Sequence, residues 1–87
     1  MRGQKVVCKG FDGDALELVV WEDSSSLIYV HSEDQFEARM NGRPHLESVG
    51  FPVEDVFIWK ERLNKTEVDW SKLQRYCPVT ASSLQQI

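Results

Sequence analysis

At 87 residues, the chain is long enough for one small domain with a single hydrophobic core and too short for two. Its 14 acidic residues outnumber its 10 Lys and Arg, and the formal net charge of -4 argues against non-specific binding to a phosphate backbone. No apolar run reaches the roughly 20 residues that a membrane-spanning helix needs. We also expect no signal peptide, because charges interrupt the first apolar residues, and Cys8 and Cys77 are too few for a disulfide framework, so we expect a cytoplasmic protein with two free thiols.

The first 31 residues predict three antiparallel strands. Apolar, β-branched and aromatic residues are concentrated in Gln4–Lys9, Ala15–Glu22 and Leu27–His31. The first two ranges are separated by Gly10–Asp14, in which two glycines and two aspartates favour a turn. The polar residues Asp23–Ser26 form the second turn. We therefore predict two consecutive hairpins.

The second predicted strand has apolar residues on both of its faces. Because side chains alternate along a strand, Val19 and Trp21 cannot share the inner face with the leucines of the same strand. Another part of the chain should cover them. We predict that the segment Thr66–Cys77 docks on this outer patch through Trp70 and Leu73.

A capping signal follows the third strand. Ser32 is followed three residues later by Gln, with two acids between them, and this pattern predicts a helix over residues 33–41. Phe36 and Met40, four residues apart, then lie on one face of the helix. The same two residues also fit an alternating strand that ends at the hairpin signal Asn41-Gly42. The capping signal favours the helix.

The second half of the chain predicts two more strands and a final helix. Leu46–Phe51 and Val56–Trp59 fit short strands, and Pro52–Asp55 between them fits a tight turn or one helical turn. Thr66–Cys77 begins with a capping residue and acids, which predicts a last helix that bears aromatic residues. Pro78 ends it.

Two blocks, Tyr29–Phe36 and Val49–Phe57, resemble a pattern in short uncharacterised bacterial proteins. Those proteins have an SH3-like small barrel with a helix inserted before the fourth strand. The resemblance covers residues 1–58, and it implies an α+β, mainly β fold: a five-stranded SH3-like, partly open barrel. We add a C-terminal helix, assign residues 1–78 to one domain and expect residues 79–87 to be a frayed tail. The resemblance implies no function.

No residue pattern predicts a catalytic, cofactor or metal site. Structural zinc ligands usually come in pairs two to four residues apart, and Cys8, His31, His45 and Cys77 form no such pair. A Ser or Cys nucleophile needs a base that a third group orients, and no motif of that kind is present. His31 ends a strand next to carboxylates, so a small enzyme that uses it stays an alternative to a solvated histidine. We predict no cofactor and no metal.

Charges and aromatic residues are distributed unevenly along the chain. Eight acids and no Lys or Arg occur in residues 10–38, which indicates a solvated face, a surface that steers a basic partner, or a surface that pairs with the basic second half of the chain. The aromatic residues exceed what the inside of a small barrel holds, so some belong to outer packing or to an interface. The candidate acidic face consists of Asp12, Asp14, Glu17, Glu22 and Asp23. The candidate interaction surface consists of Val19, Trp21, Trp59, Trp70 and Tyr76.

These features predict a non-enzymatic module that binds another protein or associates with itself as a homodimer. The alternative is a nucleic-acid-associated regulator, in which basic residues of the C-terminal segment contact phosphates while an aromatic ring stacks on a base. Its residues are Lys60, Arg62, Lys65, Lys72 and Arg75 together with Trp70 or Tyr76. A steep fall of oligonucleotide affinity with salt distinguishes this alternative.

Overall fold

The structure, a computed structural model, describes residues 1–60 and 68–77. In this part of the chain, one α-helix, α1 (Glu33–Met40), and two 3-10 turns accompany a five-stranded antiparallel sheet. The strands are β1 (Lys5–Lys9), β2 (Ala15–Asp23), β3 (Leu27–His31), β4 (Val49–Pro52) and β5 (Val56–Ile58). Their order is β4-β3-β2-β1-β5, so the fifth strand returns to the first. The fold is α+β and mainly β, and the sheet is not closed into a barrel.

The three predicted N-terminal strands and the helix after them are confirmed. The Ser32 side chain accepts a hydrogen bond from the backbone N–H of Gln35 at 3.3 Å, as the capping signal predicts. The helix ends before Gly42, whose φ of 69° is a conformation that favours glycine. The alternative strand over residues 36–40 is therefore wrong. The predicted helical turn after β4 is confirmed as a 3-10 turn at Val53–Asp55.

The strand β1 lies between β2 and β5, and its three central residues are buried on both faces of the sheet. We call the face that carries Val6 and Cys8 the core face, since both residues belong to the main hydrophobic cluster. Val7 is fully buried on the opposite face, the outer face, next to its cross-strand partner Phe57. The cluster on the core face consists of Val6, Cys8, Val20, Ile28, Val30, Val56 and Tyr76.

The predicted C-terminal helix over Thr66–Cys77 is wrong for the residues that the structure describes. Only Trp70–Lys72 is helical, as a single 3-10 turn. Residues 74–76 instead extend along β5, with two backbone hydrogen bonds of 2.8 and 3.0 Å, and Tyr76 enters the core. Tertiary pairing and burial outweigh helix propensity, which is a weak preference per residue. The start of the predicted helix and the predicted tail at 79–87 lie outside the described residues.

Within the described ranges, we find no helix with the length and apolar character needed to cross a membrane.

Candidate functional site

The outer patch of Val19 and Trp21 is covered by α1 and not by the C-terminal segment. Phe36 of α1 meets Trp21 edge to face, with ring centroids 5.8 Å apart. Trp70 packs on Phe57 instead, with ring centroids 5.1 Å apart. The predicted docking of the C-terminal segment on this patch is therefore wrong. The helix follows β3 directly and reaches the patch through a short connection, which is the common arrangement of consecutive elements.

Two arginine side chains of the same chain pack on the Trp21 ring. The guanidinium carbons of Arg2 and Arg39 lie 3.9 and 4.0 Å from the ring centroid. Arg2 also donates a hydrogen bond from Nε to the Trp21 carbonyl at 2.8 Å. A cation on an indole contributes about 0.5–2 kcal/mol, depending on how far it is desolvated. Trp21 therefore acts as a packing residue that holds α1 and the N-terminal segment.

His31 is the one buried polar residue among those described, with 3% of its surface exposed. Arg39 Nη1 lies 3.0 Å from His31 Nε2 and can only donate, so Nε2 accepts and the ring proton is on Nδ1. Burial lowers the pKa of His31, and the positive charge of Arg39 and the nearby His45 lower it further. The ring centroids of the two histidines are 5.7 Å apart. His31 is therefore neutral at pH 7, and its bond with Arg39 holds the last turn of α1 to the sheet.

We expect the free energy of unfolding to fall as the pH decreases from 7.5 to 5.5. The unfolded chain takes up a proton on His31 near pH 6.5, whereas in the folded state burial and the nearby Arg39 and His45 lower the pKa of His31, so the unfolded state gains in relative stability as the pH falls. Urea titrations at several pH values measure this dependence. His31→Phe should flatten it, and the control His45→Gln should leave most of it in place. An equal slope in His31→Phe and the parent chain would contradict this account.

The two cysteines are free thiols, as predicted, with Cys8 buried and Cys77 exposed. Burial, and to a smaller extent the negative charge of Asp55, raises the pKa of Cys8 to about 12. The Cys8 thiol therefore stays protonated and packs as a small apolar side chain. In residues 1–60 and 68–77, no group of three or more His, Cys, Asp and Glu is placed to hold a metal ion.

The residues of the candidate interaction surface lie in separate places. Trp59 is on the outer face, where its Nε1–H donates to Glu17 Oε1 at 2.8 Å and Lys5 Nζ lies 5.5 Å from its ring centroid. Trp70 is half-buried against β5, whereas Tyr76 is a core residue that is 3% exposed.

The candidate acidic residues spread along β2 and the turn before it. Asp12 and Asp14 are exposed in the turn between β1 and β2, and Glu22 is exposed near the far end of the strand. Asp23 accepts a hydrogen bond from the Tyr76 hydroxyl, at 2.7 and 2.9 Å to its two oxygens.

An open apolar groove of about 280 Å³ continues from the core face of the sheet. Its floor consists of Leu16 and Leu18 of β2 and Phe51 of β4. Val49 and the loop residue Leu46 form one side, and their side chains are 57% and 71% exposed. Because Val49 pairs with Val30 of the core cluster, the groove is the uncovered end of the hydrophobic core. Exposed apolar side chains grouped in this way mark binding sites.

A side chain of α1 holds Leu46, which forms one side of the groove, in place. Gln35 Oε1 accepts a hydrogen bond from the Leu46 backbone N–H at 2.6 Å, and His45 Nδ1 donates to the Leu46 carbonyl at 2.7 Å. These bonds hold Leu46 outside β4, although the sequence predicts a strand over Leu46–Phe51. One signal pointed to this arrangement: Leu46 and Val49 are three residues apart, a spacing that does not suit the two-residue alternation of a strand.

The groove lies beside an edge of the sheet. The strand β4 is last in the strand order, and in the described part of the chain only β3 pairs with it. At the opposite edge, residues 74–76 pair with β5. An unpaired edge presents backbone donors and acceptors that an added strand can use.

Comparison with protein-family models, with curated proteins and with solved structures finds no match to this chain.

Proposed function

We propose that the domain is a non-enzymatic interaction module that binds an extended segment of another protein along β4. The observation that carries this proposal is the apolar groove beside the unpaired edge of β4. In strand addition, main-chain hydrogen bonds to the edge supply affinity, and alternate side chains of the added segment enter pockets. The groove has room for a few aliphatic side chains, which suits a peptide better than a large cofactor.

We further propose that the sheet is an SH3-like, partly open barrel. The strand order supports this proposal, because β5, the last strand in the chain, pairs with β1, the first, as a sheet that rolls toward a barrel requires. A bulge in β2 between Val20 and Glu22 also bends the sheet. The barrel is open between β4 and β5, and the groove lies on the β4 side of this opening.

The proposed function predicts binding of a synthetic ten-residue peptide that alternates valine and threonine and has serines at both ends. We expect its addition to ¹⁵N-labelled protein to shift the amide signals of residues 46–51 in NMR spectra. Leu46→Asn and Val49→Thr should each weaken binding by about fivefold or more, because each removes apolar contact area. Met40→Gln is the matched control, since Met40 is 57% exposed and does not line the groove.

A peptide with prolines in place of two threonines should not bind, because proline cannot donate a hydrogen bond to the edge. If the alternating peptide causes no shifts at residues 46–51, or if the groove variants bind as well as the Met40 control, the proposed function is wrong.

A second candidate, single-stranded nucleic acid binding, is favoured by the placement of cations on the outer face. Lys9 Nζ lies 6.0 Å from the Trp70 ring centroid, and the Arg75 guanidinium lies 5.9 Å from that of Phe57. Tyr76 is buried, so Trp70 is the ring left for stacking. Addition of an oligothymidylate to the same labelled protein tests it: shifts at β1 and near Trp70 that vanish between 50 and 200 mM salt, roughly the range over which phosphate contacts weaken steeply, would favour this candidate.

A further inference from the structure

The backbone N–H and C=O of Gly50 point away from the sheet at the free edge of β4. Along an antiparallel pair, residues that bond to the neighbouring strand alternate with residues whose backbone groups point away from it. The Val53 N–H donates to the Ser26 carbonyl at 3.1 Å. Phe51 and Val49, two and four residues before Val53, therefore bond to β3 in the same way. Gly50 lies between them, so its backbone groups face the free edge.

The position of Pro52 agrees with this alternation. Proline has no N–H, and within a sheet it is confined to places where that group would face solvent. Pro52 is two residues from Gly50, so its missing donor also falls on the free edge and removes no bond to β3. Within β4, only Gly50 therefore offers both a donor and an acceptor to an added strand. Gly50 fixes the register of such a strand.

The two faces of the sheet beside Gly50 offer different contacts to an added strand. Opposite residues of an antiparallel pair have their side chains on the same face. The residues opposite Val49 and Phe51 then point into the groove, which Val49 and Phe51 line. The residue opposite Gly50 points to the outer face, where the Tyr29 ring covers Gly50: a Cβ at Gly50 would lie 3.2 Å from Tyr29 Cε1. A ring on the added strand can lie across Gly50 and meet the Tyr29 ring, because glycine has no side chain between them.

We infer that β4 selects an extended segment of another protein in which an aromatic residue lies between two aliphatic residues. This inference rests on the proposed function. The segment pairs antiparallel with β4, and its aromatic residue exchanges two backbone hydrogen bonds with Gly50 and packs its ring against Tyr29. The two aliphatic side chains enter the groove beside Val49 and Phe51. Gly50 and Tyr29 thus determine specificity, whereas the groove supplies apolar contact area.

Versions of the valine and threonine peptide test this inference through dissociation constants measured from the NMR shifts of residues 46–51. One central threonine is replaced by tyrosine or by leucine. We expect the tyrosine version to bind about fivefold more tightly than the leucine version, since an aromatic pair contributes beyond the area that it buries.

Variants of the protein show whether this preference comes from the outer face of β4. Tyr29→Val should bring the affinities of the tyrosine and leucine versions within about twofold of each other, because it removes the ring that the peptide ring meets. Gly50→Ala should do the same, because its methyl group would lie 3.2 Å from Tyr29 Cε1 and displace that ring. The control Trp59→Ala, which removes an outer-face ring beside β5, should keep the preference.

Methylation of single peptide amides tests the register. An N-methyl group on the tyrosine removes the N–H that donates to the Gly50 carbonyl, so binding should weaken by about tenfold or more. An N-methyl group on either neighbouring valine removes an N–H that points away from β4, so the affinity should change by less than about threefold. The reverse result would place the ring in the groove and would overturn the inference.

The outcomes separate this inference from the proposed function. Equal affinities of the tyrosine and leucine versions for the parent chain would overturn the inference, while the proposed function would stand. Absence of shifts with every peptide would overturn both. Sedimentation equilibrium of the free protein gives a further decision: a dimer that Val49→Lys dissociates would show that a second copy occupies β4, and this result would also overturn both.

Discussion

Replacing Tyr76 by alanine should leave the domain largely unfolded at 25 °C. Tyr76 lies in the core cluster with 3% of its surface exposed, and its backbone N–H donates to the Val56 carbonyl at 3.0 Å. Truncation of a buried large aromatic side chain to alanine costs about 3–5 kcal/mol. The whole stability of a domain this small is roughly 5 kcal/mol, so the loss is comparable with the total. Urea unfolding followed by circular dichroism measures the change.

The matched variant Tyr76→Phe separates packing from hydrogen bonding. It keeps the ring and removes the hydroxyl that donates to the Asp23 carboxylate. A hydrogen bond to a charged group contributes about 1.5–3 kcal/mol, so this variant should stay folded with a lower urea midpoint. A Tyr76→Ala chain that unfolds at the same urea concentration as the parent would show that the C-terminal segment does not belong to the core.

The features that the sequence predicts correctly depend on residues close together in the chain. Ser32 and the two acids after it predict the start of α1, and Gly42 predicts its end. The hairpins of the first 31 residues follow from alternation and turn residues within short windows. Such patterns are readable because both partners of each interaction lie within a few positions.

The features that the sequence predicts wrongly depend on distant partners. The alternation of side chains in β2 predicts that another side chain packs on Trp21. The sequence does not decide between Phe36, which makes this contact in the structure, and an aromatic residue of the C-terminal segment. Trp70, Leu73 and Tyr76 have helical spacing, yet β5 offers residues 74–76 backbone hydrogen bonds that a local pattern does not reveal. Leu46 lies outside the strand predicted for it, because its backbone N–H donates a hydrogen bond to the Gln35 side chain of α1. The groove arises from this displacement, and for that reason its residues were absent from the predicted interaction surface.

Replacing Trp21 by alanine should destabilise the domain by about 2–4 kcal/mol, slightly less than a fully buried tryptophan, because the ring is only half-buried. The ring contacts Phe36 of α1 and is the common support of Arg2 and Arg39. Its loss therefore removes one packing contact and two cation contacts at the junction of α1 with the sheet. Urea unfolding measures the total loss. Hydrogen exchange of the amides in residues 36–40 measures where it acts, and we expect faster exchange in α1 than in β1.

The matched variant is Trp59→Ala, which removes an indole of similar exposure from the same outer face. Trp59 has one cation at a longer distance, Lys5 at 5.5 Å, and a hydrogen bond to Glu17, so its loss should cost about 1 kcal/mol less than the loss of Trp21. Because α1 holds Leu46 through Gln35, loosening the helix in Trp21→Ala should also weaken peptide binding in the groove. Trp59→Ala should leave binding unchanged. Equal losses of stability in the two variants, with α1 still protected from exchange, would show that Trp21 does not anchor the helix and that the groove keeps its shape without it.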